Sequence, residues 1–196
     1  MLFTKIFSGI AMASAAMAGL TPQQIADGLN TLTQKSTALQ GPAQSITLVN
    51  ALLFPLGQGP YPQIVSGLTD IISTTTTLIA LFPGTQPIQK RGEMEHARDL
   101  SARGADADLV FNAFRAFVRA HQILLNILIG KAGILGHLPI IGQPVAAVLR
   151  QVEGVVDTVA ITLINITQAR AGDLSADADS LGNTLDLAIQ SYNSLI

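Results

Sequence analysis

The stretch "VFNAFRAFVRAHQILLNILIGKAG", residues 110–133, decides the fold class. At about 100° per residue, its large apolar side chains fall on one side of a helix. Together with Leu135, two residues beyond the stretch, that side comprises Val110, Phe111, Phe114, Phe117, Val118, Leu124, Leu125, Leu128 and Ile129. His121 lies within this apolar side, whereas Arg115 and Arg119 lie on another face, where two charges argue against a membrane span. The stretch therefore predicts a core helix of a soluble bundle.

Two isoleucines of this helix, Ile123 and Ile127, point away from the main apolar side. The next segment has the same character, since Ile161 and Ile164 lie off its core stripe. That stripe consists of Val145, Leu149, Val152, Val156, Val159, Leu163 and Ile166. Helices that are apolar over so much of their circumference either lie centrally or face something apolar.

The first helix is predicted to begin with Thr21 as its cap and Pro22 at the first helical position, and to end at Gly41-Pro42. Its inward face is Ile25, Leu29, Leu32, Ser36 and Leu39. A second helical spacing runs from Pro62 to Phe82 and outweighs the "STTTT" run inside it, although threonine disfavours helices.

Three further helices are predicted over about Asp106 to Leu135, Gln143 to Ala171 and Ser175 to Leu195. The similar stretches at residues 99–109 and 173–181 both enter helices, and we interpret their aspartates as acidic first turns facing the helix dipole. The chain contains no cysteine and no strand signal. The prediction is an all-α antiparallel bundle of five to six helices without disulfides.

Residues 83–105 hold many of the charges and few large apolar groups, which predicts a solvated, flexible loop. The loop contains Lys90-Arg91, a dibasic pair. The pair is either a processing site, cut after Arg91, or simply two solvated charges.

The first 18 residues resemble a secretory signal. Lys5 precedes an apolar run, and Ala16 and Ala18 give the small-x-small pattern before a cleavage site. We therefore expect residues 19–196 to form a single domain that is secreted, either extracellular or in a cell wall. The net charge of −2 and the charged fraction of 12% argue against nucleic acid as a partner.

His121 is the most informative polar residue, because a buried imidazole needs a hydrogen-bond partner or loses its charge. It pairs either with another bundle residue or with the carboxylate of a bound fatty acid. Phe114, Phe117, Leu125 and Leu128 share its face and complete the candidate ligand-binding set.

No catalytic or cofactor motif is present, so we expect neither enzyme activity nor a cofactor. Glu93 and His96 have the spacing of a di-metal bundle site, but no second copy accompanies them, so no metal is expected. Asn165 begins "NIT", the chain's one N-glycosylation sequon, on a face expected to be exposed.

The stretch "IADGLNTLTQKSTALQGPAQSI", residues 25–46, resembles the first helix of the fungal hydrophobic surface-binding protein A family, which includes cell-wall galactomannoproteins. The last helix, "LGNTLDLAIQSYNSLI", resembles that family more loosely. The resemblance implies a secreted, non-enzymatic bundle that adsorbs to hydrophobic surfaces or holds lipids in an apolar core. The alternative is a structural or host-interacting protein whose extra apolar faces bind a protein partner or a second copy.

Overall fold

The computed structural model describes residues 19–51, 53, 57–88, 97–135 and 139–193, with the backbone alone for 97–103, 135 and 139–141. Its elements are α1 (Pro22–Gln44), α2 (Leu48–Ala51), α3 (Pro60–Leu81), α4 (Ala97–Leu135), α5 (Pro139–Ile166), a 3-10 helix (Gln168–Arg170) and α6 (Ala171–Asn193). No strand occurs in these ranges. The predicted all-α bundle is confirmed.

The five long helices form a closed ring. α1 packs against α3 and α4, α5 packs against α3 and α6, and α6 completes the circuit by packing against α4. α4 and α5 follow one another in the chain, yet they make only sparse contact. A ring of five helices leaves more space at its axis than a ring of four, so large side chains are needed to fill it.

Contacts between the helices fix the direction of each one. At one end of the ring Arg170 bonds to Asp108, and at the other end Tyr192 bonds to Leu128, so α6 runs parallel to α4. α1 also runs parallel to α4, whereas α3 and α5 run the opposite way. The long helices therefore alternate in direction along the chain, as in an antiparallel bundle, and closure of the ring places parallel helices side by side.

Apolar side chains from all five long helices fill the ring. The largest fully buried ones include Tyr61, Tyr192, Phe114 and Phe117. The predicted inward face of α1 is entirely buried. The predicted faces of α4 and α5 are also buried, apart from half-buried Ile129 and Ile166 and from the side chain of Leu135, which lies outside the description.

The off-stripe isoleucines divide into two pairs. Ile123 is 51% exposed and Ile161 is 60% exposed, as the helical wheel predicts. Ile127 and Ile164 are instead half-buried and pack against the core, because neighbouring helices cover the flanks of α4 and α5. Two of these isoleucines therefore contribute to helix packing, and the other two are exposed to solvent.

The predicted end of α1 at Gly41-Pro42 is wrong, since the helix continues through Pro42 to Gln44. Proline removes one backbone donor from a helix. Ala43 and Ile46 are fully buried just beyond it, and the Ser45 hydroxyl donates to the Pro42 carbonyl. Burial of this last turn therefore outweighs the local breaking signal.

The predicted loop at residues 83–105 is partly wrong, because α4 begins at Ala97 instead of Asp106. Residues 97–105 include three alanines and two arginines, and both residue types favour helices. The acidic-turn prediction consequently fails for Asp106, which lies well inside α4. Residues 89–96 lie outside the described part of the chain.

The predicted boundary between the last two helices is also displaced. α5 begins at Pro139 rather than Gln143, because proline suits a first helical position. It ends at Ile166, and Thr167 leaves the helical conformation at φ −115° and ψ 58°. Gly172 and Asp173 then lie within the first turn of α6, where Asp173 confirms the predicted acidic residue near the helix dipole.

Among the described helices, α3 alone is long and apolar enough to cross a membrane by length and composition. Its inward residues Ile64, Leu68 and Ile71 are fully buried in the ring. On its other side, Asp70 forms an ion pair with Lys35 of α1. In this structure α3 therefore forms part of the wall of the ring.

Candidate functional site

The candidate ligand-binding residues form one buried column along the inner face of α4. We call Phe114, Phe117, His121, Leu125 and Leu128 the α4 column. Each is at most 1% exposed. Their spacing of three or four residues keeps them on one face, and the column extends for about 21 Å. The structure therefore brings all five predicted residues together.

Two glutamine hydrogen bonds, one on each flank of α4, hold this helix so that His121 faces inward. Gln40 of α1 donates to the Ala120 carbonyl at 3.1 Å. Gln122 donates across the other junction, to the Ser180 carbonyl of α6 at 3.1 Å. Because these bonds involve the residues directly before and after His121, they fix the rotation of α4 at that level.

The imidazole of His121 is fully buried, and one of its two ring nitrogens has a hydrogen-bond partner among the described residues. Its Nδ1 lies 3.0 Å from the hydroxyl oxygen of Ser36 on α1. Its ring centroid lies 5.5 Å from that of Phe117. Nε2 has no hydrogen-bond partner among the described residues. An unpaired buried polar atom costs about 1–3 kcal/mol, so this nitrogen is an unused donor or acceptor inside the ring.

Burial lowers the pKa of His121 from 6.5 to about 4. The charged form is disfavoured because burial removes the imidazole from water. At neutral pH the side chain is therefore a neutral imidazole. If Ser36 donates to Nδ1, the proton of the imidazole resides on Nε2, which is then a donor without an acceptor among the described residues.

A pair of tyrosines marks one end of the α4 column. The Tyr192 hydroxyl donates to the carbonyl of Leu128 at 3.0 Å and also interacts with the hydroxyl of Tyr61. Burial is the main cause that raises the pKa of both phenols. Both groups therefore stay neutral and act as hydrogen-bonding groups within an apolar setting.

Three carboxylates cluster outside the ring between α5 and α6. Burial and repulsion from Asp186 raise the pKa of both Glu153 and Asp157. The described residues contain no group of three or more His, Asp or Glu side chains that could hold a metal ion. Glu93 and His96, the predicted partial metal motif, lie outside the described residues.

Asn165 is exposed in the last turn of α5, as the sequence predicts, so its side-chain amide is accessible. Thr167, the third residue of the sequon, is fully buried. Glycosylation of Asn165 remains a prediction. The two predicted processing positions, Ala18 and Arg91, lie outside the described residues.

Ser36 and Tyr192 contact the candidate site but lie outside the set of residues that the sequence predicts for it. Ser36 occupies a position in the apolar stripe of α1, and a hydroxyl at such a position is a usable signal of a buried polar partner. Tyr192 gives a weaker signal, although tyrosine occurs only twice in the chain. Neither signal identifies which distant residue completes the hydrogen bond.

Comparison with protein-family models, curated proteins and solved structures finds no match to this chain.

Proposed function

We propose that the protein is a secreted, non-enzymatic carrier that encloses the tail of a fatty acid or a similar amphiphile along the α4 column. The observation that carries the proposal is the unpartnered Nε2 of His121, fully buried midway along an apolar column. A carboxylate placed there would accept the hydrogen bond that no described residue accepts. The apolar tail would replace contacts among the surrounding side chains.

Both ends of the column suit a linear amphiphile. The column continues past His121 to Phe114 on one side and to Leu128 on the other. An acid group at His121 would thus have apolar surroundings in both directions, and the buried hydroxyl pair at Tyr61 and Tyr192 would lie beyond Leu128. The resemblance of residues 25–46 to the hydrophobic surface-binding protein A family supports the same proposal. Membership of that family is itself part of what we propose.

Ligand binding would also change the protonation of His121. The pKa of the free imidazole is lowered to about 4 by burial. A carboxylate beside it would raise that pKa, because an opposite charge stabilises the imidazolium. Binding of an acid should therefore take up protons at mildly acidic pH, whereas binding of the corresponding ester should not. Calorimetry in buffers of different ionisation enthalpy measures this uptake.

The direct test compares a fatty acid with its methyl ester in the wild type and in His121→Leu. A charge-assisted hydrogen bond contributes about 1.5–3 kcal/mol, so the substitution should weaken acid binding by about tenfold or more. The ester, which lacks the carboxylate, should lose little. Ser36→Ala should weaken acid binding less, because it only releases the orientation of the imidazole.

Native mass spectrometry of protein recovered without delipidation provides the independent measurement. Bound masses in the fatty-acid range support the carrier function. A bare chain that also binds no added acid would overturn it and favour the alternative, a protein partner bound through exposed residues such as Ile123 and Ile161. Equal loss of acid and ester binding in His121→Leu would remove the headgroup role of His121.

A further inference from the structure

The two ends of the ring differ in charge. We call the end at Tyr61 and Tyr192 the apolar end, and the end at Asp108 and Arg170 the charged end. The sequence contains no Asp, Glu, Lys or Arg between Lys35 and Asp70. That run covers the last part of α1, all of α2 and the first part of α3, which together form much of the apolar end.

The other helices follow the same division. In the described part of the chain, Glu153 and Asp186 mark the level at which carboxylates stop. Between that level and the apolar end, the charged side chains of the described residues are Lys131 and Arg150. Both are cations. Lys131 donates one of its hydrogen bonds to the carbonyl of Ile46, and each cation retains further donors. Among the described residues, the charged side chains of the apolar end are therefore both positive, and the rest of this surface is uncharged.

The segment around α2 exposes large apolar side chains at this end. Leu48 is 52% exposed, Val49 is 77% exposed and Leu53 is 37% exposed. α2 packs on α3 and α4, so the segment lies beside the end of the α4 column. Adjacent exposed apolar side chains, unlike single ones, indicate an interaction surface.

The exposed residues are held on a defined turn. The Asn50 side chain accepts from the Thr47 backbone at 2.8 Å and donates to the Ser45 carbonyl. Gly59, at φ 86°, closes the segment against α2, since a Cβ there would lie 2.8 Å from the Asn50 carbonyl oxygen. Leu48 and Val49 are thus presented outward by a capped turn.

We infer that the apolar end docks on the surface of a lipid bilayer that carries anionic headgroups. Leu48, Val49 and Leu53 enter the interface, and Lys131 and Arg150 face the headgroups. Apolar side chains inserted next to basic residues are the combination by which peripheral segments bind anionic membranes. The inference rests on the proposed carrier function, because docking at this end places the α4 column next to the source or acceptor of its ligand.

The experiment measures vesicle flotation and the transfer of a fluorescent fatty acid to vesicles. The wild type is compared with a Leu48→Asp/Val49→Asp variant, on phosphatidylcholine vesicles with and without phosphatidylserine. Burial of each apolar side chain is worth at least about tenfold in partitioning, so the variant should associate at least about tenfold more weakly and transfer more slowly. Its affinity for the fatty acid in solution should be unchanged.

Ile161→Asp/Leu187→Asp is the matched control, since these side chains are 60% and 57% exposed on the sides of α5 and α6. The control should bind vesicles like the wild type. Arg150→Gln should reduce the preference for phosphatidylserine by about fivefold, with the difference vanishing at high salt.

The docking inference is overturned if both double variants lose vesicle association equally, or if the wild type does not associate with vesicles. Fatty-acid affinity in vesicle-free solution is measured separately and tests the carrier function. A protein that binds the acid but ignores vesicles therefore contradicts the docking inference alone.

Discussion

The apolar end and the charged end of the ring use polar groups in different ways. At the apolar end, the Tyr192 hydroxyl is buried and bonds to a specific backbone carbonyl, that of Leu128. At the charged end, Arg170 pairs with Asp108 and Asp173 through side chains that remain partly open to solvent. Buried hydrogen bonds do not respond to salt, whereas exposed ion pairs are screened by it. The same helices are therefore held by different forces at their two ends.

The largest expected effect concerns His121, which lies between the two ends. Because its pKa falls from 6.5 to about 4 on folding, the unfolded chain binds the proton more tightly. Its contribution to stability is present above pH 6.5 and is lost as the pH falls from 6.5 towards 4. The expected total loss is about 3 kcal/mol. Urea unfolding at a series of pH values measures it.

The matched variant for that experiment is His121→Gln, whose side chain does not titrate. The raised pKa values of Glu153 and Asp157 act in the opposite direction, since protonation of these carboxyls favours the folded state as the pH falls. Subtraction of the variant's pH profile from that of the wild type isolates the imidazole. If the stability profiles of wild type and variant are parallel between pH 6.5 and 4, the interior of the ring does not exclude water from His121.

The second effect tests the apolar end. Tyr192→Phe removes the hydroxyl that donates to the Leu128 carbonyl while the ring still fills the core. We expect a loss of about 1–2 kcal/mol in the free energy of unfolding. The loss should be the same at low and high salt. A salt-dependent loss would show that this end is not shielded from solvent.

The smallest effect tests the charged end. Asp177→Asn breaks the ion pair with Arg115, whose Nε lies 2.9 Å from the carboxylate. The two side chains are 21% and 37% exposed, so the loss should stay below about 1 kcal/mol and shrink as salt is added. Arg115 retains its position 4.2 Å above the ring of Phe111. If Asp177→Asn lowers the free energy of unfolding more than Tyr192→Phe does, the exposed ion pair contributes more stability than the buried hydrogen bond.

The helical period correctly predicted which residues face inward, including His121, because burial of one stripe is a local property of the sequence. It did not predict the order of helices around the ring. The hydrogen bond between Ser36 and His121 joins residues 85 positions apart. No spacing rule connects such positions, since their contact depends on how the helices pack.

Helix ends were predicted less well for a related reason. Gly41-Pro42 and Gly172-Asp173 are local breaking signals, yet both lie within helices. Buried residues next to them, Ala43 and Leu174, stabilise helical turns that local preference alone would end. Packing energy therefore decides the boundaries, whereas the pattern of apolar residues decides the elements.

The order of helices around the ring also governs how the chain can fold. α1 with α3, and α5 with α6, are neighbours along the chain as well as in space, so each pair can form as a local hairpin. α4 must then be seated between α1 and α6, through contacts between residues far apart in sequence. Because contacts between distant residues form slowly, we expect closure of the ring to be the slow step of folding. A fatty acid present at that stage would be enclosed as α4 takes its place, without any later opening of the finished ring.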